Sequence, residues 1–571
     1  MKSVLQYLKP FRGRMAWGFC IKTVATMLEL FLPYILSHIL KNVVGSLDVY
    51  QILYWGGLMV LCSGLACICN IVANRMAAKT SRDFAEIMRR ELFSHTLHLS
   101  AAQTDRFTVP SLESRITTDT YNVHQFIGLM QRMGVRAPIL LMGGIFITLV
   151  MDAYLALVMI VMLPLIFLVV YFLSRNGVPF YAKVQRAVDS MVRVVREDVQ
   201  GIRVIKALSK NDYENRRYDE VNRRLSQDER HAKTVMGIVS PVMTLLMNGG
   251  ITAVVAMSAS RVAGHQSDPE TVIAFMQYFT LISMAMMSVS RIFVMYTKCA
   301  ASARRIAEVI NTPAEITVQD LPRVETDAHI VFENVGFSYN GRHKHLEGVS
   351  FALPKGGSLG VIGATGSGKS TLVKLLLRFY DVTEGRILIG GRDLRSIEHT
   401  ELSAMFGVVL QNDFLYADTV EENIRFGREL SFEQIKRAAE ISQADDFITA
   451  FPDGYGHILS QKGTNVSGGQ KQRILIARAL AAEPEILVLD DSSSALDYKT
   501  DANLRRDLAT HMKQSTLITV AQRVSSVKDC DLILVLEDGE VIGQGKHEEL
   551  LESCSAYREI SDSQMGGAFV E

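Results

Sequence analysis

Long apolar runs alternate with charged stretches over the first 300 residues, and six of the runs reach the length needed to cross a hydrocarbon core, about 20 residues. They cover approximately 15–40, 50–73, 126–151, 154–173, 235–260 and 271–297. The connections between them are lopsided. Segments 75–125 and 174–234 are rich in Lys and Arg, among them Arg75, Lys79, Arg89, Arg90, Arg186, Arg196, Lys206 and Lys210. The opposite connections hold only Lys41 and Arg261, near helix ends, and turn-like runs such as Ala263 to Pro269. Basic loops stay on the cytoplasmic side, so both termini are expected in the cytosol of a multi-pass plasma (inner) membrane protein. Within the basic segments apolar residues keep a helical period, as in Val184, Val188, Met191, Val195, Val199 and Ile202, which predicts that membrane helices continue into the cytosol.

Beyond about residue 300 the pattern becomes the mixed apolar and charged texture of a soluble α/β domain. Composition narrows the function further. Sixty Lys plus Arg balance sixty Asp plus Glu, so nothing supports a nucleic-acid partner held by a basic face. The seven cysteines lack paired spacings, and Cys67 and Cys69, two apart on a helix, face different ways. The apolar run from Met15 to Leu40 is too long for a secretory signal and carries Lys22 and Glu29.

In the second half a strand-like run ends in Gly363-Ala364-Thr365-Gly366-Ser367-Gly368-Lys369-Ser370, followed by Thr371. This is a phosphate loop: the glycines let backbone N–H groups face inward, a helix amino end follows, Lys369 reaches the terminal phosphates, and Ser370 can ligate Mg2+. Farther on, Ile486-Leu487-Val488-Leu489-Asp490 reads as a buried parallel strand ending in a second magnesium-holding group. The fold class expected is therefore an α-helical membrane domain of six transmembrane helices fused to a cytosolic α/β P-loop ATPase domain. Its divisions are 1–310, a linker at 311–328, and 329–571.

Between these motifs lies Val466-Ser467-Gly468-Gly469-Gln470 at the start of a helix. Ser-Gly-Gly-Gln in that place resembles the signature of ATP-binding-cassette (ABC) proteins. The resemblance extends to Tyr339, similar to the aromatic residue that stacks on adenine, and to Gln411, similar to the glutamine linking magnesium to the membrane domain. Asp497 falls in a segment resembling the loop that communicates between sites. Six spans fused to one ATPase is the layout of exporter half-transporters, so the resemblance implies ATP and Mg2+ as cofactors, a second half-transporter chain as partner, the lipid bilayer, and a transported small molecule, lipid or peptide. In that family the signature of one chain closes over ATP held by the other. Short docking helices are then expected near Asp105 to Glu113 and Ala207 to Glu214.

Two positions depart from the family pattern. Asp491 stands where a glutamate polarises the attacking water, and Gln522 stands where a histidine meets the terminal phosphate. Asp491 is one methylene shorter, and an amide carries neither the charge nor the proton of an imidazole. The chain thus resembles the subunit of a heterodimeric multidrug-type exporter that carries the degenerate nucleotide site, with a homodimer as the alternative. Two further readings stay open: an importer of metal chelates built on the exporter fold, and a regulatory membrane subunit that binds ATP.

For substrate, Glu29 is the candidate. It lies seven residues from Lys22 on nearly the same helical face, and charges inside a membrane face a bundle interior or a cavity. Lys22 can instead snorkel to the cytosolic surface. Met276, Met284, Met286 and Met287 offer an adaptable apolar surface.

Overall fold

A computed structural model describes residues 2–44, 48–263, 269–411 and 413–565. The turn-like run from Ala263 to Pro269 falls largely outside them. The chain divides into one unit of 1–97 and 109–312 and a second of 98–108 and 313–571.

The first unit is helical. Its long helices are Arg12–His38, Val49–Leu97, Thr120–Met151, Ala153–Gln200, the pair Asn211–Gly237 and Val239–Ala263, and Pro269–Ile310. Among the described residues five stretches are long and apolar enough to span a membrane, and a sixth helix opens with the apolar run Ala153–Val169. These match the six runs read from hydropathy, but the helices do not stop where the apolar residues do. Val49–Leu97 runs 49 residues, about twice what the bilayer needs, because backbone hydrogen bonding continues after the side chains turn polar. Between the third and fourth spans, Asp152 Oδ1 accepts from the N–H groups of Tyr154 and Leu155 at 3.0 and 3.2 Å and so starts the next helix. Large side chains such as Phe31, Val60, Phe146 and Val161 are left exposed on the helix surfaces, as lipid-facing positions require.

The second unit holds two sheets. Strands β1 (Ala328–Phe337), β2 (Leu346–Pro354), β4 (Glu384–Ile389) and β5 (Arg392–Asp393) form an antiparallel sheet in the order β2-β1-β4-β5. A six-stranded sheet runs β10-β9-β3-β8-β7-β6, from β3 (Ser358–Gly363), β6 (Phe406–Val409), β7 (Ile486–Asp490), β8 (Thr516–Val520), β9 (Leu532–Glu537) and β10 (Glu540–Gly545). All its pairings are parallel except β9 with β10. Every residue of β7 is buried, which is why the strand reads as an unbroken apolar run.

The short helix Ala101–Phe107 belongs with this unit although its sequence lies between membrane spans. Ser100 caps it, accepting from Gln103 N–H at 3.1 Å, and Thr108 at φ 64° turns the chain away. Tyr380 Oη donates to Asp105 Oδ2 at 2.6 Å and Gln103 Nε2 donates to the Pro313 carbonyl at 2.8 Å. The docking helix therefore begins four residues before the expected Asp105, since its cap is Ser100. The other expected region, Ala207 to Glu214, is a break between helices Ile202–Ala207 and Asn211–Gly237. Segment 313–327 lies along the domain, with Arg378 donating to the Thr317 carbonyl at 2.7 Å and Val324 N–H to the Gly391 carbonyl at 2.8 Å.

Candidate functional site

Parallel strands place their loops at one edge, and here β3 ends in Gly363, β7 in Asp490 and β8 in Val520, with β8 between the other two. The loop after β3 turns through Gly366 and Gly368 at φ 89° and 99°. A side chain at Gly368 is excluded twice over, because its Cβ would stand 2.8 Å from Leu346 Cδ2 and 2.9 Å from the His345 carbonyl. Helix Lys369–Leu376 follows, its amino end facing the loop. Lys369 Nζ donates back to the Gly363 and Ala364 carbonyls at 2.8 and 2.7 Å, and burial holds its ammonium below the ordinary lysine range. Ser367 Oγ is buried without a hydrogen-bond partner among the described residues.

A pocket of about 270 Å³ collects Thr365, Gly366, Gly368, Lys369, Ser370 and Thr371, and adds Gln411, Asp490, Asp491 and Gln522 from neighbouring strand ends. Burial pushes the Asp490 carboxyl above the usual carboxylate range, the Ser370 hydroxyl pulls it back, and Asp491 beside it adds to the rise. Asp491 is also raised by burial, against a hydrogen bond from Gln411. Its backbone takes φ 52°, a left-handed conformation that aspartate tolerates better than most residues. Gln522 Nε2 donates to Asp491 Oδ2 at 3.4 Å, so the two departures from the family pattern touch one another. Tyr339 lies at the side: its hydroxyl is 3.4 Å from Thr371 Oγ1, and its ring stands edge-on to Phe337, His345 and Tyr380.

Three residues of this site were not anticipated. His345 lines the pocket and its Nδ1 is buried and unpartnered among the described residues. Gln472 Oε1 accepts from Ala495 N–H at 3.1 Å and its Nε2 lies 3.4 Å from the Asp491 carbonyl, bracing the loop that carries Asp491. Arg478 donates to the Phe414 and Asn423 carbonyls at 2.8 and 2.7 Å, holding the segment after Gln411. Gln472 and Arg478 bind residues far away in sequence, and no local motif announces any of the three.

Ser467, Gly468, Gly469 and Gln470 stand apart from this pocket. Ser467 Oγ accepts from Gln470 N–H at 3.3 Å while Gln470 Oε1 accepts from Ser467 N–H at 3.0 Å, a capping box on helix Gly468–Leu480. Both Ser467 and Gly468 are exposed. An alanine at Gly469 would press its Cβ to 3.1 Å from the Ala495 carbonyl, so the signature packs directly on the segment leading to Asp497. Asp497 caps the next helix, accepting from Thr500 N–H at 3.0 Å.

Residues 15–286 match the ABC transporter transmembrane region, and residues 346–494 match the ABC transporter family. An ABC transporter ATP-binding protein of Mycobacterium tuberculosis is 32% identical over 573 residues, covering 99% of this chain and 98% of that protein. The chain belongs to the ABC transporter family. The ABC transporter ATP-binding protein YfiB of Bacillus subtilis is likewise 32% identical, over 99% of both chains. In fold, the transporter is similar to a bacterial Atm1-family ABC exporter with ATP bound, with a TM-score of 0.83 at 23% identity over 98% of this chain and 99% of that one.

The cytosolic domain of this ABC transporter is an ATPase that uses ATP with Mg2+ and couples hydrolysis to transport. The residues fit that load. Ser370, Gln411 and Asp490 offer hard oxygen donors with one carboxylate, the kind of set Mg2+ takes when phosphates complete its shell. Mg2+ held by these groups would offset the negative charge of the ATP phosphates. The unpartnered Ser367 hydroxyl and the Lys369 ammonium, now resting on its own loop, are the groups a phosphate would engage.

In the membrane domain a separate cavity of about 510 Å³ is lined by Glu29, Arg136, Gln277 and Thr280 among apolar residues, with Met276 at its wall. Glu29 Oε2 accepts from Arg136 Nε at 3.0 Å and Oε1 from Asn70 Nδ2 at 2.8 Å. Lys22 does not snorkel. It is buried, and its Nζ donates to Asn70 and Asn74 at 2.6 and 3.2 Å, so an amide separates it from Glu29. Met284, Met286 and Met287 are not among the lining residues.

Proposed function

We propose that this ABC transporter is half of an exporter, paired with a second, similar chain, and that its own nucleotide site turns over slowly while its signature completes a fast site on the partner. The observation that carries this is the contact between Gln522 and Asp491 in a pocket otherwise equipped for MgATP. Tyr339, the loop from Gly363 to Thr371, Gln411 and Asp490 bind nucleotide in this reading. Asp491 is the base that falls short of its water, and Gln522 spends its amide on that carboxylate instead of a phosphate. The signature from Ser467 to Gln470 is well formed, exposed and outside the chain's own pocket, as a surface meant for another chain's ATP would be.

ATP capture closes two cytosolic domains against each other, and hydrolysis on the partner's side reopens them. The basic loops and both termini lie in the cytosol, the protein sits in the plasma (inner) membrane, and Glu29 faces the transported molecule from its cavity. In the copurified pair, Ser467→Ala will lower ATP turnover more than Lys369→Ala does. Equal or reversed losses, or brisk hydrolysis by this chain alone, would remove the degenerate-site assignment. Movement of cargo out of inverted vesicles, instead of into them, would make the protein an importer.

A further inference from the structure

The charges inside the six spans do not balance. They hold Lys22, Arg132, Arg136 and Arg291 against a single carboxylate, Glu29. Ionised side chains at membrane depth are costly unless paired, and they mark binding paths. Among the described residues Glu29 pairs with Arg136 alone, since Lys22 reaches only the neutral amides of Asn70 and Asn74. Arg132 stands one helical turn before Arg136 and adds a further positive charge on the same helix. Glu29 lies nine residues before the outer end of its helix at His38, and Arg136 fifteen before Met151. At 1.5 Å per residue both sit roughly 14 to 22 Å from those ends, near the middle of a hydrocarbon core of about 30 Å.

Building on the transporter reading, we infer that this cavity binds the anionic head of an amphiphile, a carboxylate, sulfonate or phosphate ester, which takes Arg136 from Glu29. The side chain of Arg136 is 40% exposed and that of Glu29 20%, so the guanidinium is the more accessible member of the pair. Its planar fork suits an oxyanion in two-point contact. Lys22, Arg132 and Arg136 outweigh Glu29, so an incoming anion lowers the excess positive charge while the displaced Glu29 carboxylate keeps its hydrogen bond from Asn70, whereas a cation drawn to Glu29 would add to that excess. Leu32, Met276 and Leu281 supply the apolar wall for a tail, and about 510 Å³ falls within the range of small-molecule sites, roughly 300–1,000 Å³. Glu29 is then a resident counter-ion, a positioning group that holds Arg136 until the ligand arrives.

The test uses the full chain in phosphatidylcholine nanodiscs and three fluorescent dodecyl probes, ending in a sulfonate, a trimethylammonium or a neutral amide. Binding is read by anisotropy. The sulfonate is expected to bind about ten-fold more tightly than the ammonium, Arg136→Gln to lose that preference, and Arg136→Lys to keep part of it. Glu29→Gln frees the guanidinium and should tighten sulfonate binding. Equal binding of the three probes, preference for the ammonium, or weaker sulfonate binding by a Glu29→Gln protein of unchanged Tm overturns the inference. Adding phosphatidylglycerol separates the sources of such a head: competition identifies a lipid, and its absence a soluble amphiphile, both through the same Arg136. ATP-driven uptake into inverted vesicles is scored independently. Uptake of the ammonium probe without sulfonate preference keeps the exporter and removes this site, while Arg136-dependent sulfonate binding without uptake of any probe keeps the site and removes the exporter.

Discussion

Asp491 and Gln522 occupy each other, and reverting them is the sharpest single-residue question. Asp491→Glu together with Gln522→His should raise phosphate release by this chain alone by about 10²-fold, with each single change giving less. No gain from the double variant would mean that hydrolysis is limited elsewhere in the pocket. A second residue ties stability to pH. His329 is buried at the start of β1, with Nδ1 2.7 Å from Thr516 Oγ1, and burial aided by the nearby Lys355 charge holds its pKa below the ordinary histidine value. The unfolded chain takes a proton there near pH 6.5 while the folded chain resists it. The stabilisation is therefore whole above about pH 6.5 and declines as the pH falls below it. A Tm series from pH 7.5 to 5.5 should fall less steeply in His329→Gln than in the parent. Lys369, Ser370 and Asp490 were legible in the sequence because each belongs to a contiguous motif whose spacing is its geometry. Arg136, Tyr380 and His345 were not, because what defines them is a partner such as Glu29, Asp105 or Tyr339, which no local pattern names.

At the scale of elements, hydropathy located the spans because lipid selects apolar side chains, and the helical period of Val184, Val188, Met191, Val195 and Val199 announced that the fourth helix runs on past its apolar stretch, as Ala153–Gln200 does. The docking helix is where the reading and the structure differ. Its place was inferred from family resemblance, and the structure starts it at the Ser100 cap, a polar signal that hydropathy ignores. Tyr380 connects this helix to Tyr339: its hydroxyl holds Asp105 and its ring stands 5.1 Å from that of Tyr339, at 88°. Burial and the Asp105 carboxylate push the Tyr380 phenol well above its usual range, so it stays a hydrogen-bond donor. Tyr380→Phe keeps the ring packing and removes the bond. It should leave nucleotide affinity within about two-fold while loosening the link to transport, read as fewer cargo molecules moved per ATP consumed. An unchanged ratio would show that Asp105 and Tyr380 do not carry the stroke.

For the whole molecule, the imbalance of basic loops sets a topology that labelling can check. In a variant lacking its native cysteines, Asp48→Cys, between the first two helices, should react with an impermeant maleimide from outside the cell, and Ser209→Cys only after the membrane is opened. The reverse pattern would place the ATPase on the wrong side for cytosolic ATP. The unit formed by 98–108 and 313–571 also constrains how such proteins can be recombined. A chimera that exchanges everything after residue 312 for the corresponding part of a relative leaves behind the small piece that Tyr380 and Pro313 grip. Two separated gene fragments must move as one for the graft to inherit its own clutch.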